Sequence, residues 1–289
     1  MDMDLSEATA VTANKLVAEG KGILAADESS GTIKKRLDTI GVESTETNRR
    51  DYRQLLFTTP GIEDFISGVI LFDETINQTT DDGTPLPTIL EEKGIIPGIK
   101  VDTGKIEPPF FPGETITEGL DGLGDRLEQY RALGARFTKW RAAIAILGDT
   151  IPTRFVIKAN AEALCRFAAL SQEAGLTPIV EPEVLMDGEH TLERCEEVSL
   201  EVLDIVFSRL RAHRVRLEGM LLKPNMVVSG KECPHQAGPK EVAEATIRCF
   251  RRVVPAAVPG IVFLSGGQSP EEATANLNAL NRRGEQPWE

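Results

Sequence analysis

Seven short apolar runs recur along this chain, and each closes on a polar or conformationally special residue. They are "GILAAD" (22–27), "GVILFDE" (68–74), "PGIKVD" (97–102), "ARFTKWR" (135–141), "TPIVEPE" (177–183), "GMLLKPN" (219–225) and "GIVFLSGG" (260–267). Runs that are apolar nearly throughout suit strands covered on both faces. Helical stripes lie between most of them. Residues 158–174 carry Ala161, Leu164, Phe167 and Ala168 and stop at Gly175, which suits a C-cap. Residues 191–212 repeat Leu192, Cys195, Val198, Val202 and Ile205 at helical period. Residues 239–253 open on Pro239 and align Val242, Ala245, Cys249 and Val253. In "SPEEATANLNAL", Ser269 offers a cap, Pro270 a first helical residue and Glu272 the return half of a capping box. Residues 50–59 read as a helix of mixed charge, and 107–123 as a Pro/Gly-rich loop leading into a helix.

Strand–helix alternation predicts an α/β fold with a parallel sheet. Strands spaced roughly 30–50 residues apart point to a TIM (β/α)8 barrel. A doubly wound open sheet is the alternative. Such a sheet usually carries a G-x-G-x-x-G turn after its first strand, where this chain has "AADESSGT". The chain reads as one domain over residues 1–289, yet seven strands are counted where a barrel needs eight.

The chain's net charge of −13 argues against nucleic-acid and anionic-membrane partners, but not against a small anion held by local cations. No apolar stretch approaches the roughly 20 residues of a membrane helix. The opening "MDMDLSEATA" is acidic and polar, unlike a signal peptide. Cys165, Cys195, Cys233 and Cys249 are scattered, as in a reducing compartment. His190, His213 and His235 have no metal-binding spacing, and His190 reads as a loop histidine.

Barrel function gathers at the C-terminal ends of the strands. Those ends present Asp27, Glu74, Lys100 with Asp102, Lys139 with Arg141, Glu181 with Glu183, Lys223, and Ser265 with Gly266 and Gly267. Residues two apart on a strand face the same way, so Lys139 and Arg141 share a face, as do Glu181 and Glu183. Trp140, between the two cations, reads as packing. Lys223 stands out, because Met220, Leu221, Leu222, Met226, Val227 and Val228 surround it. It is either half of a buried structural ion pair or a nucleophile. A free lysine titrates near about 10.4, and burial or a neighbouring cation pushes it down toward a reactive amine. Such an amine forms an imine with a carbonyl, and Lys139 could be the neighbouring cation. Glu181 or Glu183 could then shuttle protons, and Asp27 could take a hydroxyl proton as a carbon–carbon bond breaks. "EPE" also reads as a turn with two solvated carboxylates. "SGG" is either a plain loop or a phosphate cradle of backbone N–H groups.

"KGILAADESSGTIKKRL", "GVILFDETINQ", "GIKVDTG", "FTKWRAAI", "PIVEPEVLMDGEH", "LEGMLLKPNMV" and "FLSGGQSPEEATANLNALN" together resemble class I fructose-bisphosphate aldolase, in order and over nearly the whole chain. The resemblance implies a TIM barrel, usually a cytoplasmic homotetramer, working in glycolysis and gluconeogenesis without metal or other cofactor. It implies reversible cleavage of fructose 1,6-bisphosphate to dihydroxyacetone phosphate and glyceraldehyde 3-phosphate. By the same resemblance Lys223 is the Schiff-base lysine, Glu181 handles protons in imine chemistry, and Glu183 pairs with active-site cations. Asp27 serves the C4 hydroxyl. Lys139 and Arg141 are the cationic pair near the reacting carbons and a phosphate, Arg36 and Lys100 are substrate-site cations, and Ser265, Gly266 and Gly267 form a phosphate loop. Family members continue past the "PW" region into an eighth strand with a Tyr-Gly-Arg segment. The expectation is therefore a barrel lacking that strand. Its alternative function is a catalytically impaired homologue that serves as a binding or scaffold barrel.

Overall fold

The computed structural model describes residues 5–288; Met1–Asp4, the start of the acidic opening stretch, and Glu289 lie outside the described residues. The chain runs α1 (Leu5–Leu16), β1 (Gly22–Ala26), α2 (Ser30–Asp38), α3 (Glu46–Thr58), β2 (Ile66–Leu71), α4 (Asp73–Ile76), α5 (Leu86–Glu92) and β3 (Ile96–Lys100). A small excursion follows, β4 (Gly104–Ile106) and β5 (Ile116–Glu118), then α6 (Leu123–Ala132) and β6 (Phe137–Ile144). The remainder is α7 (Arg154–Glu173), β7 (Thr177–Val184), α8 (Leu192–Ala212), β8 (Leu221–Leu222), α9 (Pro239–Val253) and α10 (Pro270–Asn281).

The main sheet has the order β1-β2-β3-β6-β7-β8, and every pairing in it is parallel. Each strand is added beside the one before it, always on the same side. A doubly wound sheet reverses direction at a switch point, whereas a barrel does not. The strand order therefore decides for a (β/α)8-type barrel. The seventh run joins through an isolated parallel bridge between Leu222 and Ile261. Two hydrogen bonds hold it there, Leu222 N to Gly260 O at 3.3 Å and Val262 N to Leu222 O at 2.9 Å. β8 is short because Pro224 has no N–H for a ladder. Among the described residues the sheet does not close: β1 pairs only with β2, and the Ile261 stave only with β8.

Two apolar layers flank the strands. Inside, Ile70, Phe137, Ile179 and Leu221 meet Ala13 and Leu16 of α1, which plugs that end. Outside, Trp140, Val180 and Leu222 pack under the helices, with Trp140 stacked on Phe167 at 5.7 Å between ring centroids. Trp140 is thus packing, as its sequence position suggested. The helix ends follow their cap chemistry. Thr153 and Thr191 accept from the backbone N–H groups of Val156 and Arg194. The Ser269–Glu272 capping box forms in both directions, at 3.2 and 2.9 Å.

Two local expectations change. The 107–123 segment is not all loop, since β5 pairs antiparallel with β4 and the Thr117 hydroxyl donates to Arg141 O at 2.8 Å. A three-residue strand among prolines and glycines leaves no periodic signal. Glu74 is not at a strand end either. β2 stops at Leu71, and Glu74 lies in α4, paired with Arg49 at 2.6 Å.

Gly98 shows how tightly the inner layer is built. A Cβ there would lie 2.3 Å from two ring atoms of Phe137, which is fully buried. Gly98→Ala should lower the unfolding free energy by about 1–3 kcal/mol. Urea unfolding reads this as a lower midpoint, and an unchanged midpoint would contradict the packing.

Candidate active site

Strand alternation carries the inner apolar layer into a charged one. Phe137, Ile179 and Leu221 face inward, so Lys139, Glu181 and Lys223, each two residues further on, face the same way. Lys223 leaves β8, but its backbone N–H still donates to Val180 O at 2.8 Å, which keeps it in register. Asn225 fixes the neighbouring strand end. The Asn225 amide oxygen accepts from Val184 N at 2.9 Å, tying the segment after Lys223 to β7.

Lys139 is the centre of this layer and is only 4% exposed. Its Nζ lies 2.6 Å from Asp27 Oδ2 and 3.2 Å from Glu181 Oε2. The second contact is electrostatic, without hydrogen-bond geometry at that oxygen. The other oxygen, Glu181 Oε1, accepts from Lys223 Nζ at 2.6 Å. One carboxylate thus bridges two ammonium groups. Burial pulls the Lys139 pKa down, but Glu181, Asp27 and Asp102 outweigh it and hold the ammonium above its ordinary value. Burial likewise pushes Asp27 up, yet the adjacent Lys139 prevails and keeps the carboxyl below its ordinary value.

A second set of cations surrounds the first. Arg141 Nε donates to Glu183 Oε2, and its backbone N–H donates to Asp102 Oδ2 at 3.3 Å. Burial opposes the charge of Arg141, but the Glu183 hydrogen bond raises its pKa. Lys100 pairs with Asp102 Oδ1 at 2.7 Å, and Arg36 with Glu28 Oε1 at 2.9 Å.

These groups share one cavity of about 360 Å³ at the C-terminal ends of the strands. Asp27, Arg36, Lys100, Lys139, Arg141, Glu181 and Lys223 all line it. Glu183 stands behind, holding Arg141. Ser265, Gly266 and Gly267 are not among the lining residues. They follow the Ile261 stave, where Gly266 and Gly267 take left-handed φ values of 64° and 92°. A Cβ on Gly267 would lie 2.8 Å from Lys231 Nζ, so this loop runs beside a further cation.

Sequence reasoning passed over Glu28, Ser29, Thr32 and Lys105, which also line the cavity. Glu28 adjoins Asp27, and strict alternation would send it to the opposite face. The strand ends at Ala26, however, and the chain turns there into α2. The polar cluster "DESS" was the available signal. His190 is a buried loop residue whose two ring nitrogens have no partner, and burial and Arg194 hold it below its ordinary value. Among the described residues no three His, Cys, Asp or Glu side chains gather where they could hold a metal ion. Among them, too, no helix is long and apolar enough to cross a membrane.

The Asp27–Lys139 pair links the site to stability. The folded pKa of Asp27 lies below its unfolded value of 3.8, so its stabilisation is present above that pH and lost as pH falls through the folded value. Asp27→Asn should therefore flatten the decline in unfolding free energy between roughly pH 5 and pH 3. Denaturant titrations across that range provide the check, and parallel profiles for parent and variant would contradict the pairing.

Comparison with known proteins identifies the family. The family model for class-I fructose-bisphosphate aldolase matches residues 8–289. A probable class 1 fructose-bisphosphate aldolase of Xanthomonas campestris pv. campestris is 56% identical over 98% of this chain and 84% of its own length. The cytosolic fructose-bisphosphate aldolase 6 of Arabidopsis thaliana is 53% identical over 98% of this chain and 81% of its own. The fructose-bisphosphate aldolase of Plasmodium falciparum, solved in a ternary complex with TRAP and a small-molecule inhibitor, superposes with a TM-score of 0.97 at 50% identity, covering 100% of this chain and 83% of that one. The chain belongs to the class I fructose-bisphosphate aldolase family.

Proposed function

We propose that this protein reversibly cleaves fructose 1,6-bisphosphate to dihydroxyacetone phosphate and glyceraldehyde 3-phosphate through an imine on Lys223. The observation that carries this is the 2.6 Å hydrogen bond from Lys223 Nζ to Glu181, at the wall of a cation-rich cavity. Attack on the substrate carbonyl requires a neutral amine. Glu181 is the group within reach to accept the Lys223 proton. The amine adds to the C2 carbonyl, and Glu181 returns a proton to the departing hydroxyl as water leaves. The resulting protonated imine is an electron sink. Asp27 then takes the C4 hydroxyl proton as the C3–C4 bond breaks. The bonding electrons pass into the imine to form an enamine, and the aldehyde departs. Protonation at C3 and addition of water release dihydroxyacetone phosphate and restore Lys223.

Lys139 stays charged under its three carboxylates and steadies Asp27 and Glu181. Arg36, Lys100 and Arg141 take the anionic ends of the substrate, with Glu183 orienting Arg141. Ser265, Gly266 and Gly267 cradle a phosphate by hydroxyl and backbone N–H donors. The imine supplies the electron sink, so the chemistry asks for no metal. Residues 1–289 act as one barrel domain. Family resemblance supports a homotetramer in glycolysis and gluconeogenesis, and the relatives named cytosolic support a cytoplasmic place.

A coupled cleavage assay tests the proposal. Lys223→Met should lower kcat by about 10⁴-fold or more, as loss of a covalent nucleophile does. Glu181→Gln should lower it by about 10²–10⁴-fold. A chelator should leave the rate unchanged. No cleavage by the folded parent chain would favour the binding-barrel alternative instead.

A further inference from the structure

Asp27 occupies a weakly supported place. The β1–β2 register ends at Ala26 and Leu71, so Asp27 lies one residue past the last rung. Something else must fix the backbone there, because a carboxylate that moves a proton has to be held to a fraction of an ångström.

Arg53 is placed to do this. It lies on α3 and is 0% exposed. Its Nε donates to Ala26 O at 3.2 Å and its Nη2 to Glu28 O at 2.8 Å. The two carbonyls bracket Asp27. The guanidinium also lies 5.9 Å over the Phe72 ring, at the end of the neighbouring strand. Nη2 stands 3.8 Å from Glu28 Oε2, while Nη1 and that carboxylate oxygen have no hydrogen-bond partner. A fully buried guanidinium with an unused donor is costly to keep for stability alone. Glu28 in turn holds Arg36 at 2.9 Å through its other oxygen.

From this geometry we infer that Arg53 is a positioning residue for the cleavage step. Its rigid fork holds the carbonyls on either side of Asp27, one residue beyond the last β1–β2 rung, and sets Asp27 opposite Lys139. The inference rests on the imine reading of the site, and it makes a distinction within that reaction. Imine formation uses Lys223, one residue past β8, and Glu181 on β7, and neither is a partner of Arg53. Bond cleavage also needs Asp27.

The test compares two readouts in the full chain, fructose 1,6-bisphosphate cleavage and borohydride trapping of dihydroxyacetone phosphate. Arg53→Met should lower kcat for cleavage by about 100-fold, the size expected for a misplaced catalytic group. Trapping should stay at the parent's level. Arg53→Lys keeps the charge near Glu28 but offers a flexible point donor in place of a fork. It should fold like the parent and recover only part of the cleavage rate. Parent-like cleavage in both variants would overturn the inference. So would a parallel fall of cleavage and trapping, or failure of both variants to fold, since Arg53 would then be merely structural. A parent chain that neither traps nor cleaves would instead take down the imine reading itself.

Discussion

The site is organised around one buried ammonium. Lys139 reaches Asp27 beyond β1 and Glu181 on β7, and Glu181 passes the connection to Lys223 beyond β8. Groups from both ends of the sheet are therefore linked through Lys139 and Glu181. An isolated charge in this setting would be prohibitively costly, and removing one partner of a buried pair typically costs about 3–5 kcal/mol. The geometry is accordingly held by electrostatics as well as by the apolar layer of Phe137, Ile179 and Leu221 beneath it. That layer also keeps water from the lower side, which strengthens every contact above it.

The same residue type plays two parts on this face. Lys139 has carboxylates on two sides, and its side chain is 5% exposed. Lys223 has one carboxylate oxygen, and its side chain is 13% exposed at the cavity wall. The first arrangement stabilises a permanent cation. The second places a lysine beside a single carboxylate oxygen at the cavity wall. Glu181 divides its two oxygens between them.

Much of this was legible in the chain, for a definite reason. Strand alternation is local, and "FTKWR" and "PIVEPE" display it directly. Strand ends are where barrels place chemistry, so Asp27, Lys100, Lys139, Arg141, Glu181 and Lys223 could be read without any relative. Arg36 could not, because it lies on α2 and reaches the cavity by way of a turn; the resemblance supplied it. Glu28 and Arg53 escaped entirely. Their contact joins a strand end to the buried face of α3, and no periodicity records which helical arginine meets which carbonyl. Glu74 was misread because β2 stops before it. The choice of barrel over doubly wound sheet rested on an absent glycine motif, whereas the strand order that settles it is a property of pairing. The count of seven staves carried through, with the seventh attached by a bridge.

The central claim is a division of labour between two inward lysines, and the position of the imine tests it most directly. Borohydride reduction with dihydroxyacetone phosphate, followed by peptide mapping by mass spectrometry, locates the modified amine. The account predicts the added mass on Lys223 and an unmodified Lys139. Label on Lys139, or an unlabelled Lys223 in folded protein, would contradict it.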